Sequence, residues 1–160
     1  MPPSLLLRSA LLGVVAGLRS QFPAAALAAG GLEPAGGPLA VLATRGGRRA
    51  AYLAAIGEIV VDKLPVTPDR VETRGLLSRV VSGAVAAAVL GSAAGVRGAR
   101  LALPVLAGAS GAYLGSWGGF TARRALGRAT GLPDPVVAVG EDLVALGLAA
   151  AAVHAPVEHA

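Results

Sequence analysis

The residues best suited to chemistry are charged side chains that lie within or beside apolar stretches. Glu58 and Asp62 are spaced four apart, so they share one face of a helix. Glu141 and Asp142 are adjacent, about 100° apart on a helix, so only one of them can point at a given partner. An unpaired carboxylate in apolar surroundings either pairs or takes a proton. We therefore expect Arg19 to join Glu58 and Glu141 in a polar site.

Such a site would handle protons, ions or an anionic head group. An alternative interpretation makes the same groups interfacial charges, or ion pairs that fix helix register; for Asp62 and Lys63 the interface is favoured. If a metal binds, Glu58 and Glu141 are its expected ligands. The candidate substrate- or ion-binding residues are Arg19, Ser20, Glu58, Asp62, Lys63, Arg79, Glu141 and Asp142.

The sequence assigns no catalytic residue and no cofactor. Because there is no cysteine, thiol chemistry and Cys-ligated metal centres are excluded. His154 and His159 lie at the C-terminus beside Glu158, where we expect a solvated tail and no metal site. Neither a P-loop nor a dinucleotide-binding glycine pattern is present.

The composition indicates a protein that is solvated by lipid. Hydrophobic residues make up 54% of the 160 and charged residues 14%, against about 25% charged in an ordinary soluble domain. The mean hydropathy is +0.68. A net charge of +5 with few aromatic residues favours basic loops that meet lipid head groups, and argues against nucleic acid as a partner. We therefore predict a multi-pass protein of the cell membrane.

Runs of apolar residues predict one all-α integral membrane domain over residues 1–160. A bilayer core of about 30 Å requires about 20 helical residues. The glycines and prolines of residues 30–38 break any helix there, and a short re-entrant or interfacial helix is expected near 22–30. The long connection over 19–49 also allows a sixth crossing. The predicted five-span bundle comprises residues 4–19, 48–64, 76–96, 101–124 and 135–154.

Small residues recur at every fourth position and predict close helix packing. Gly13 and Gly17 form one row, while longer rows occur in two later spans. In lipid, such rows let helix backbones approach closely, which holds helices together. They also fit a homodimer through Gly-rich faces. The longer rows are Gly83, Ala87, Gly91 and Gly95, then Gly111, Gly115 and Gly119.

Two short patterns suggest an internal repeat. Leu12-Gly13-x-x-x-Gly17-Leu18 is similar to Leu114-Gly115-x-x-x-Gly119-Phe120, and Gly57-Glu58 is similar to Gly140-Glu141. One extra span, at 76–96, separates the copies at about 5–64 and 101–154. An odd number of intervening spans would invert the second copy, as in many transporters. Spans 1–2 and 4–5 are therefore expected to form two inverted halves.

The distribution of arginine and lysine between the two sides is nearly even, so it orients the bundle only weakly. The slight bias places the N-terminus in the cytoplasm. Tyr113 and Trp117, four apart, are expected in the aromatic belt near the head groups.

Four blocks of the chain together carry a family resemblance. They are Gly17-Leu18-Arg19-Ser20-x-x-Pro23, Glu58-Ile-Val-Val-Asp62-Lys63-Leu-Pro65-x-Thr67-Pro68-x-Arg70, Arg79-x-x-Ser82-Gly83 and Glu141-Asp142. Over residues 5–150 the chain resembles the domain-of-unknown-function family 4126, a group of small bacterial membrane proteins. The resemblance implies several membrane helices and no established activity, and it places the candidate charged residues within the family pattern.

Three functions follow as expectations. The first is a small transporter or channel-like protein with its charged site between two inverted halves. The second is an intramembrane enzyme that acts on a lipid or isoprenoid head group through a carboxylate, with Mg²⁺ as an optional aid. The third is a structural or assembly subunit, for which the rows of small residues would suffice.

Overall fold

The computed structural model describes residues 1–31, 38–61 and 73–154, and within these ranges the chain is all-helical, with no strand. The predicted break at the glycines near 30 and the predicted gap between the spans 76–96 and 101–124 both fall between α-helices. Short 3₁₀ turns at Pro38–Ala43 and Gly98–Leu101 precede α3 and α5. The six helices are α1 (Pro3–Leu18), α2 (Phe22–Ala29), α3 (Arg45–Val61), α4 (Thr73–Ala93), α5 (Ala102–Thr130) and α6 (Asp134–His154).

Glycines bring α1, α4 and α5 into backbone contact. A Cβ added at Gly13 would collide with the carbonyl oxygen of Gly108, and one at Gly115 would lie 2.5 Å from that of Val14. On α4, a Cβ at Gly83 would lie 2.7 Å from the Gly108 oxygen. The predicted rows of small residues therefore pack helices of one chain together. The homodimer through these faces stays a prediction.

The contacts along α1 fix the directions of its neighbours. From Gly13 to Leu18, the α5 residues in contact advance from Gly108 to Gly119, so α1 and α5 run parallel. An inverted repeat needs this pair to run in opposite directions, so the expected inverted relation of spans 1–2 and 4–5 is wrong for it. Glycine allows close approach of two helices whether they run parallel or antiparallel. The glycine pattern of the sequence therefore holds no information on the relative direction of α1 and α5.

The same contacts correct the five-span topology. In five alternating spans, α1 and α4 would run parallel, but Arg79 contacts the end of α1 and Gly83 lies beside Gly13, so the two helices are antiparallel. The additional reversal comes from α2. It begins at the Arg19 end of α1 and reaches Gly30, which lies against Val153 near the end of α6. These helix directions agree with the predicted alternative, in which the chain makes a sixth crossing within residues 19–49.

Fewer than five of the described helices are long and apolar enough to span a membrane. Two helices of the described residues are long and apolar enough to cross a membrane, Gly75–Ala93 within α4 and Pro135–His154 within α6. The apolar α1 is shorter, at 16 residues. In α5, glycine and serine dilute the apolar residues over its 29 residues. By length and composition alone, two such helices are weak support for a membrane location.

The bundle has an apolar core, but its burial differs from the usual soluble pattern in two respects. The arginines Arg8, Arg19 and Arg79 are buried, with at most 8% of each exposed. Large apolar side chains on four helices also point outward, and extensive apolar exposure marks a binding surface or a membrane contact. These exposed side chains include Leu53, Ile56, Leu77, Val81, Leu103, Leu106, Leu114, Leu143, Val144 and Leu146.

Candidate functional site

The turn between α1 and α2 receives a carboxylate from α3. Oε1 of Glu58 accepts hydrogen bonds from the backbone N–H of Ser20 at 2.7 Å and from its hydroxyl at 2.8 Å. Oε2 accepts one from the backbone N–H of Gln21 at 2.9 Å. N–H groups at a helix start have no partner within the helix, and a carboxylate satisfies them well. Glu58 therefore binds the start of α2 to the last turns of α3.

The neighbouring residue, Arg19, is completely buried and pairs with α6. Its Nε donates to Oδ1 of Asp142 at 2.5 Å. The expected partner from this pair of acids was Glu141. The ion pair that the structure shows is with the adjacent residue, Asp142, which lies about 100° from Glu141 around the helix.

A second buried arginine, Arg79 of α4, binds the end of α1. Nη1 of Arg79 donates to the carbonyl oxygens of Gly17 and Leu18, each at 2.8 Å. The last carbonyls of a helix lack partners within the helix and carry partial negative charge, so a cation there is stabilising. On the same helix, the Ser82 hydroxyl donates to the carbonyl oxygen of Ser20.

The structure thus brings together five of the eight predicted residues, and we call Arg19, Ser20, Glu58, Arg79 and Asp142 the turn cluster. Its carboxylates and guanidinium groups bind the α1–α2 turn to α3, α4 and α6. These contacts match the alternative interpretation, in which the charges fix the helices relative to one another. Asp62 and Lys63 lie outside the described residues.

Glu141 lines a groove between α5 and α6, to which Val14 and Leu18 of α1 also contribute. The groove has a volume of about 630 Å³ and is lined almost entirely by apolar side chains and glycine. Arg123 and Glu141 are its charged lining residues, with Nη1 of Arg123 at 3.8 Å from Oε2 of Glu141. Other residues that line it include Leu114, Gly118, Leu126, Val136, Gly140 and Val144. Glu58 is not among the lining residues, so the two glutamates contact different surroundings.

Sequence reasoning missed one arginine and gave another a smaller part. It named Arg123 as a span-end arginine that could pair with an acid, but did not include it among the binding residues. Arg8 donates from Nε to the carbonyl oxygen of Ala152 at 2.6 Å, which caps the last turn of α6. Its position as a lone charge in an apolar run is the signal that could have identified it as buried and bonded.

Glu58 and Glu141, the expected metal ligands, have different partners in the structure. Glu58 binds backbone and hydroxyl donors, while Glu141 lies beside Arg123. Across residues 1–31, 38–61 and 73–154, no group of three or more His, Asp or Glu side chains is placed to hold a metal ion. A second, apolar groove of about 440 Å³ lies between α2, α3 and α6, with Tyr52 and His154 among its lining residues.

Comparison of the chain with protein-family models, with curated proteins and with solved structures finds no match. The resemblance to family 4126 therefore stays a prediction based on the four blocks of residues.

Proposed function

We propose that this chain is an integral membrane protein that binds an amphiphilic lipid in the groove between α5 and α6. The membrane location is supported by the many large apolar side chains that face outward and by the three arginines that are buried with the apolar core. In lipid, outward apolar residues need no partner, and buried charges must bond to protein. Tyr113 and Trp117 are both exposed on α5, as residues of an aromatic belt would be.

Six traverses fit the helix directions, with α1, α3 and α5 running one way and the others running back. Here α2 is the short second traverse, held at its start by Glu58 and packed through Phe22 and Leu27. Its eight residues span about 12 Å. This is less than half of a bilayer core of about 30 Å, so α2 must be enclosed by protein, as re-entrant segments are.

The observation that carries the lipid-binding proposal is the chemistry of the groove lining. A groove of about 630 Å³ lined by leucine, valine and glycine fits an alkyl or isoprenoid chain, and its charged residues lie together at Arg123 and Glu141. Ligand sites commonly combine an apolar lining with a few polar groups that fix orientation. An amphiphile has the same division between chain and head group.

The three expected functions relate differently to this groove. A head-group enzyme would bind its lipid here and have Glu141 as the nearest carboxylate, which makes it the best supported of the three. A transporter with a polar site shared by Glu58 and Glu141 has less support, because Glu58 binds the start of α2 instead. An assembly subunit would use the outer apolar faces and would not require the groove.

Two glycines on α6 provide a matched test of lipid binding. Gly140 lines the groove and Gly147 does not, and a Cβ at either position meets no atom within 4 Å. Gly140→Leu should fill the groove and displace at least two methylene groups of a bound chain. At about 0.8 kcal/mol for each methylene, this displacement weakens binding about tenfold.

The measurement is native mass spectrometry of purified protein, with dodecyl phosphocholine as the single-chain probe. We expect Gly140→Leu to lower probe retention about tenfold, and Gly147→Leu to retain it as the parent does. Equal retention by both variants and the parent would show that the groove is not the binding site. Extraction of the protein from membranes by alkaline carbonate would overturn the membrane location itself.

A further inference from the structure

The end of the bundle opposite the turn cluster carries several exposed arginines. Leu42 and Val96 pack against the same apolar cluster as Leu5. The start of α3 and the turn between α4 and α5 therefore lie together, beside the start of α1. We call the four exposed arginines of these two segments the basic end, and they are Arg45, Arg49, Arg97 and Arg100.

The acids of the described residues all lie at the other end of the bundle. Glu58 and Asp142 belong to the turn cluster, and Glu141 is adjacent to Asp142. Asp134 begins α6, and the opposite end of that helix is capped by Arg8, near the start of α1. The helix directions therefore separate the described charges along the bundle, and they leave the basic end without an acid among those residues.

The basic end adjoins apolar surface that faces outward. On α3, the exposed Arg49 is followed four residues later by Leu53, which is 69% exposed. At the start of α5, the exposed Arg100 is followed three residues later by Leu103, which is 55% exposed. In a membrane protein, such a change from charge to apolar surface within one helical turn is expected where head groups meet hydrocarbon.

The arginines at the start of α3 lie where an anion is favourable. Arg45, Arg48 and Arg49 fall within the first five residues of this helix. A helix carries partial positive charge at its N-terminus, so cations are unfavourable there and a nearby anion is stabilising. A guanidinium group presents its N–H donors in a planar fork that matches phosphate oxygens.

We propose that the basic end binds the phosphate groups of anionic phospholipids in the leaflet beside the start of α1. The inference rests on the proposed membrane location and does not depend on the groove between α5 and α6. A lipid surface fits both the charge and the position of these arginines, because they adjoin the side chains that would face hydrocarbon. The cytoplasmic leaflet is the one with a negative surface potential, so this partner agrees with the predicted cytoplasmic N-terminus.

The test measures which phospholipid the protein retains. Purified full-length protein in a nonionic detergent is mixed with phosphatidylglycerol and phosphatidylcholine of the same acyl chains at equal concentration, and native mass spectrometry counts the retained lipids of each kind. One arginine near an anionic surface strengthens binding about fivefold, so we expect about a fivefold excess of phosphatidylglycerol. Inorganic phosphate at the concentration of the lipid should not displace it.

Variants with equal changes of charge at the two ends of the bundle locate the preference. Arg97→Gln with Arg100→Gln should remove roughly half of the phosphatidylglycerol excess, and further replacement of Arg45 and Arg49 by Gln should remove the rest. The matched control replaces two exposed arginines at the other end of the bundle, where the acids lie. This control, Arg124→Gln with Arg128→Gln, should keep most of the excess.

Three results would overturn the inference. They are equal retention of both lipids by the parent, a loss in the control as large as in Arg97→Gln with Arg100→Gln, and displacement of the lipid by inorganic phosphate. The groove variant Gly140→Leu separates this inference from the lipid-binding proposal. It should keep the phosphatidylglycerol excess, and loss of the excess in this variant would place the lipid in the groove and not at the basic end.

Discussion

Nε of Arg19 lies 2.5 Å from Oδ1 of Asp142, and this ion pair joins the end of α1 to α6 in the interior of the bundle. Arg19 is fully buried while 16% of the Asp142 side chain is exposed. The next residue of the chain, Ser20, binds Glu58 of α3. Consecutive residues of one turn thus fix two different helices.

Removal of one member of this pair should destabilise the protein strongly. Arg19→Ala leaves Asp142 without its ion-pair partner, and breaking a buried pair typically costs about 3–5 kcal/mol. Arg19→Lys should cost less, because it keeps the charge. The measurement is the midpoint of thermal unfolding in detergent, with Arg100→Ala as the control at an exposed arginine. A shift no larger than that of Arg100→Ala would contradict the structural role of the pair.

Glu58→Gln should lower the stability of the folded protein, in addition to any effect on a transport activity. The amide keeps one oxygen acceptor, but its NH₂ group would face the N–H of Ser20 or Gln21, and the loss of a hydrogen bond at this partly exposed turn costs about 0.5–1.5 kcal/mol. Thermal unfolding measures the change, and Gln21→Ala serves as a control on the same turn. Unchanged stability with a selective loss of activity would instead support Glu58 as a site residue.

Two glycine-to-alanine changes should have opposite signs. Gly13→Ala places a methyl group against the carbonyl oxygen of Gly108, so α1 and α5 must move apart, at a cost of about 1–3 kcal/mol. Gly57→Ala adds a methyl group in open space and should stabilise α3 by about 0.5–1 kcal/mol. The unfolding midpoints of both variants test this difference. Equal midpoints would show that α1 and α5 are not in backbone contact.

The six-traverse and five-span models differ in whether the N-terminus lies on the same side of the membrane as the connection between α4 and α5. The native chain has no cysteine, so single cysteines can be placed without background labelling. With six traverses, cysteines at Ser4 and Ala99 should react with an impermeant reagent from the same side, and one at Leu132 from the other. Labelling of positions 4 and 99 from opposite sides would support the five-span bundle instead.

The apolar runs of the sequence determined that the chain forms helices and approximately where each one lies. The prediction of a short helix near 22–30 and of helices at 4–19 and 135–154 agrees with α2, α1 and α6. These features depend on local composition, namely on runs of apolar residues between glycine, proline and charge. The rows of small residues likewise identified the faces that pack closely.

Only the tertiary structure decided which way the helices run and which charges meet. The short α2 adds a reversal that hydropathy does not register, and this makes α1 parallel to α5. The pairing of Arg19 with Asp142 depends on the rotation of α6 about its axis. That rotation leaves Glu141 beside Arg123 in a groove formed by residues far apart in the chain, for which local patterns hold no information.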